Sequence, residues 1–95
     1  MTKEEYENKL KEIPKEMGQL VNLHALHLFN NKLQTLPVEI GKLTKLEVLS
    51  LDGNNKLITL PVKIKQLTKL QALHLDKQLE KLAKKNWPTI NLIIT

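Results

Sequence analysis

Residues 36–46 read LPVEIGKLTKL and residues 60–70 read LPVKIKQLTKL, two eleven-residue segments that differ at three positions. A looser copy, IPKEMGQLVNL, occupies residues 13–23. Each copy runs into a second half: HALHLFNNKLQT over 24–35, EVLSLDGNNKLIT over 47–59 and QALHLDKQLEKL over 71–82. Pro14, Pro37 and Pro61 fall 23 and then 24 residues apart, so the chain is built on a unit of about two dozen residues. A unit that short cannot bury an apolar face alone; it must stack on its neighbours to make one continuous core.

The second halves carry the spacing L-x-x-L-x-L-x-x-N-x-L. Leu23, Leu26, Leu28, Asn31 and Leu33 match it, as do Leu46, Leu49, Leu51 and Asn54, with Leu57 displaced by one inserted residue. Leu70, Leu73 and Leu75 match a third time, but Gln78 stands at the asparagine position and Leu79 follows directly. From residue 8 to about residue 82 the chain therefore resembles a leucine-rich-repeat protein. Its L-P-x-x-I-x-x-L half looks like the subclass of bacterial and plant intracellular repeat proteins and Ras-pathway scaffolds. The resemblance implies an α/β fold: a short right-handed solenoid with a parallel sheet on its concave face and short helices or 3₁₀ turns on its convex face.

Elementary geometry leads to the same architecture. The L-x-L alternation has period two, so Leu26 and Leu28 point to one side of a strand and Ala25, His27 and Phe29 to the other. Strands about two dozen residues apart suit parallel pairing, which needs a crossover of a dozen residues or more. The proline half supplies that crossover. Pro37 is expected at the first helical position, where a missing N–H costs nothing, with Ile40 and Leu43 on one face of a short turn. Gly18 and Gly41 weaken a long helix there and favour a 3₁₀-like turn. The recurrence of Asn31 and Asn54 in register suggests side-chain amides bonded to the backbone of neighbouring turns.

The whole chain, residues 1–95, reads as one domain: an N-terminal cap and half repeat over 1–12, repeats over 13–35, 36–59 and 60–82, and a C-terminal cap with a final strand over 83–95. Upstream of residue 8 the strand leucines are gone. Thr2 and Glu5 have the spacing of a capping box, and Tyr6 and Leu10 share a helical face. At the other end Leu79, Leu82 and Ala83 fit an amphipathic helix that stops before Pro88, followed by a strand in 90–95. Trp87 is expected to cover the open C-terminal end of the core. Both ends depart from the repeat pattern, as solenoid caps must.

Composition narrows the function classes. Twenty leucines, seven isoleucines and four valines must fill the core, against one each of Phe, Trp and Tyr. No Cys is present, which excludes disulfides and thiolate metal sites and fits a reducing compartment. The longest apolar run is three residues and the first eleven are heavily charged, so neither a membrane span nor a signal peptide is read. Those absences point to the cytoplasm, with export by a non-classical route as the alternative. The net charge of +5 comes from fifteen Lys and no Arg. Lys32, Lys56, Lys42, Lys45, Lys63, Lys65 and Lys69 are scattered among acidic residues such as Glu39. The missing guanidinium forks and the scarcity of stacking aromatics argue against nucleic-acid recognition, kept as a second alternative. A solvated surface explains the lysines more simply.

Function must therefore lie in the residues that interrupt the leucine pattern on the strand face. Stacking places them in rows: Ala25, Val48 and Ala72; His27, Ser50 and His74; Phe29, Asp52 and Asp76; with His24, Glu47 and Gln71 at the strand entrance. No cofactor or metal site is expected, because His27 and His74 lie two strands, about 10 Å, apart. Ser50 beside two histidines supplies the residue types of a hydrolytic triad but lacks a strained nucleophile turn, so no catalytic residue is assigned. Phe29 has two readings at this point, an exposed anchor on the strand face or an inward cap of the core. The expected function is a non-enzymatic interaction module that binds a protein partner of unknown identity. The candidate contacts are His24, His27, Phe29, Glu47, Ser50, Asp52, Gln71, His74 and Asp76. The alternative is a self-associating scaffold, a homo-oligomer formed through an exposed sheet edge or end.

Overall fold

The computed structural model describes residues 11–94. The readings placed on Thr2, Glu5, Tyr6 and Leu10, and on Thr95, lie outside the described residues.

From each proline a run of i→i+3 hydrogen bonds leads toward the strand. Ile40 N–H donates to the Pro37 carbonyl at 3.1 Å, Leu43 to Ile40 at 3.1 Å and Leu46 to Leu43 at 3.0 Å. The same ladder recurs through Pro14, Met17, Leu20 and Leu23, and through Pro61, Ile64, Leu67 and Leu70. The apolar spacing in these segments is a strict three, which matches the 3.0 residues per turn of a 3₁₀ helix and keeps every third side chain on one face. The 3₁₀ helices span Lys15–Gln19, Val38–Lys42 and Val62–Gln66. The prolines sit one position earlier than expected. Pro37 is the extended residue ahead of the helix (φ −69°, ψ 148°), not its first helical member, because its carbonyl must accept the first bond of the turn.

Four strands follow: β1 (Ala25–His27), β2 (Val48–Ser50), β3 (Ala72–Leu75) and β4 (Leu92–Ile94). They form one parallel sheet in the order β1-β2-β3-β4. Strand order equals chain order because each crossover only steps to the adjacent position, the right-handed solenoid that parallel connections favour. Leu49 and Leu73, in register with each other, are buried against Ile40, Leu43, Ile64 and Leu67 in a core of aliphatic side chains that runs the length of the stack.

Between strand and proline the asparagines close each turn. Asn54 is wholly buried; its amide donates to the Leu28 and Leu51 carbonyls at 2.8 Å, and its oxygen accepts from Leu33 N–H at 3.1 Å. One side chain thus joins two successive turns, as the recurring position implied. Gln78 takes over in the third copy by donating to the Asn54 and Leu57 carbonyls. Among the described residues no buried side-chain polar atom lacks a partner.

The C-terminal end departs from the pattern. A 3₁₀ turn over Lys77–Leu79 leads into helix α1 (Glu80–Asn86), where Lys84 pairs with Glu80 at 3.1 Å. Leu79 and Ala83 face the core, and Trp87, 4% exposed, seals it before Pro88. No helix among the described residues is long and apolar enough to cross a membrane.

Candidate functional site

One face of the sheet is spent on the core, so the other is the surface on which non-leucine residues are displayed. Strand pairing puts Ala25, Val48 and Ala72 in one row, and His27, Ser50 and His74 in the next. The second row continues to Ile93, which is in register with His74 and 37% exposed. Sequence reasoning expected the fourth strand but did not add Ile93 to the face. The signal was the alternation Leu92, Ile93, Ile94, in which only the outer two pack against the core.

His27 and Ser50 share a hydrogen bond, Nδ1 to Oγ, of 3.0 Å across neighbouring strands. Ser50 is 5% exposed and so lies low between the two imidazoles of its row. It shapes the floor of the face rather than projecting from it. Beyond His27 the chain reaches Phe29, whose ring meets the His27 ring edge to face, with centroids 6.3 Å apart and planes at 73°. Phe29 is half-buried, while Leu28 before it points into the core. Of its two readings, the strand-face position is the one it occupies.

The strand-entrance residues are tied together through their backbone. The His24 carbonyl accepts from the N–H groups of Glu47 at 2.7 Å and Val48 at 3.2 Å, and the Glu47 carbonyl accepts from Gln71 at 2.7 Å and Ala72 at 3.1 Å. His24 and Gln71 are exposed and Glu47 is half-buried. At the far end of the strands, Asn30 N–H donates to the Asp52 carbonyl at 2.9 Å. Both Asp76 carboxylate oxygens accept from Gly53 N–H, at 2.9 and 3.0 Å, fixing a turn in which Gly53 has φ +80°. Asp76 therefore orders the loop edge as well as bordering the face.

The nine residues thus fall into three rows of three on β1, β2 and β3: the strand entrance, the His27 row and the Phe29 row beyond the strand ends. Among the described residues no three His, Asp or Glu side chains converge on a common point. A cleft of about 290 Å³ opens elsewhere, between Lys65, Thr68, Asn86, Trp87, Pro88 and Ile90, and none of the nine lines it.

A family profile described as a leucine-rich repeat region matches residues 4–87. Among solved structures, a leucine-rich-repeat protein of Leptospira interrogans superposes with a TM-score of 0.81 at 46% sequence identity, over 90% of this chain. The present chain spans 23% of that protein. No match was found among the curated proteins.

Proposed function

Because the chain belongs to the leucine-rich-repeat family, whose members generally serve as protein-interaction modules, we propose that it binds a partner protein through the outward, concave face of its sheet and carries out no catalysis of its own. The observation that carries this reading is Phe29, a half-buried aromatic held edge-on against His27 on the strand face instead of in the core. Large aromatics with restrained rotamers lose little entropy on contact and often anchor interfaces. Four strands at about 4.8 Å give a face some 15 Å across, so a single contact falls at the small, weak end of protein interfaces.

Capture of binding proteins on the immobilised chain, at moderate salt, tests the reading. Phe29→Ala and Asp52→Lys should retain the wild-type circular dichroism spectrum and lose the captured partner. Unchanged capture by both would move the site to the convex side.

A second reading, self-association through an end of the stack, is favoured by Leu20. It occupies the position of Leu43 and Leu67, yet it is 54% exposed where Leu43 is 0%. Strand β4 adds an outer edge without charged residues, which is the kind of edge that pairs with another chain. Sedimentation velocity over a wide concentration range decides this second reading, and a monomer at every concentration would sink it.

A further inference from the structure

Charge is segregated between the strand face and the remainder of the chain. Fifteen lysines make the protein basic, yet no lysine stands at any strand-face position from the entrance row to the Phe29 row. Three of the ten acidic residues border that face, Glu47 at the strand entrance and Asp52 and Asp76 beyond the strand ends, all half-buried. Glu47 and Asp52 flank the two ends of β2, so they bracket the centre of the sheet along the strand direction, about 16 Å apart by strand rise. Between them lie two rows: Ala25, Val48 and Ala72, which make a shallow apolar trough across the strands, and the polar row of His27, Ser50 and His74, which ends at Ile93 and borders Phe29.

Resting on the sheet-face reading above, we propose that the occupant of this face is a basic peptide segment, one with an apolar side chain flanked by Lys or Arg. An extended run of about five residues spans the sheet at roughly 3.3 Å per residue. Laid along β2 from the Glu47 end to the Asp52 end, it sets its apolar side chain over Val48 in the trough. Its cationic side chains reach Glu47 on one side and Asp52 on the other, and the Phe29 ring offers a face to a guanidinium or ammonium group. Partial burial of the carboxylates lowers the effective dielectric around them and strengthens that attraction relative to fully exposed pairs. The overall charge of +5 makes the proposal discriminating, since non-specific attraction alone would gather acidic peptides.

The test is selection of a random twelve-residue peptide library on the wild-type chain at about physiological salt, followed by fluorescence polarisation of the enriched peptides. Enriched peptides are expected to be cationic, to bind about tenfold more weakly to Asp52→Lys and to Glu47→Lys, and to be lost with Phe29→Ala. Asp52→Asn, which keeps the shape and removes the charge, should give a smaller loss. Enrichment of neutral or acidic peptides that still depend on Phe29 would overturn the charge assignment and leave the sheet-face reading standing. Peptides indifferent to Phe29, Glu47 and Asp52 alike, or no enrichment at all, would overturn both.

Discussion

Gly41 sits so close to Lys63 of the next turn that a Cβ on the glycine would lie 2.8 Å from the lysine Cβ and 2.9 Å from its carbonyl oxygen. Gly18 stands to Glu39 in the same way, at 2.9 and 3.1 Å. Glycine recurs at this point of the repeat because successive 3₁₀ helices touch there through their backbones.

Gly41→Ala therefore sets two effects against each other. Alanine is the better helix former by about 1 kcal/mol, but its methyl group would wedge apart two packed turns at a cost of about 1 to 3 kcal/mol. The clash involves backbone and a Cβ, neither of which can swing away, so net destabilisation is expected in urea unfolding. Lys65→Ala, at the exposed equivalent position in the third copy, should stay within about 0.5 kcal/mol of wild type. A stabilised Gly41→Ala would show that the turns separate freely.

Asn54 joins two turns with one buried amide. Asn54→Ala would leave the Leu51 carbonyl and the Leu33 N–H without that partner in the core, while the Leu28 carbonyl keeps the Asn31 amide at 3.1 Å, a loss of about 3 kcal/mol. The thermal midpoint should fall by roughly 10 to 20 °C. A fall of only a few degrees would mean that the carbonyls find other donors.

Gly53 holds φ +80°, and a Cβ there would overlap the side-chain oxygen of Asn30. Gly53→Ala should cost about 2 kcal/mol through left-handed strain and that overlap. Chemical denaturation provides the measurement, with Asp76→Asn expected to cost less because an amide oxygen still accepts from Gly53 N–H.

Leu20 and Leu43 hold the same repeat position in opposite environments. Leu43→Lys puts a charge into a dry aliphatic core and should unfold the chain. Leu20→Lys should change stability by about 0.5 kcal/mol or less and weaken any concentration-dependent association. Equal destabilisation by both would show that Leu20 is covered in solution.

The repeat pattern made the inward leucines, the parallel strands and the strand-face rows legible, because each turn of a stack reuses the same inward positions and period two assigns the alternate faces. It also placed Gln78 at the asparagine position, and Gln78 does bond the preceding turn. The row residue Ile93 was missed, since the fourth strand lies outside the repeat and has no consensus to align it.

Phe29 marks the boundary of what sequence could decide. Period two puts it opposite Leu28, but a strand end can turn either way, and only the contact with His27 fixes the ring on the face. The same holds for Gly41, read from sequence as a weak helix former and found to be the contact between turns, and for Leu20, which holds the repeat position of buried Leu43 yet is exposed. Sequence by itself determined which side chains each turn directs inward, because that is set by local backbone period. How closely turns approach, which repeat positions stay exposed and which polar atoms meet across strands were decided by the tertiary structure, because they depend on distances between residues that share no local period.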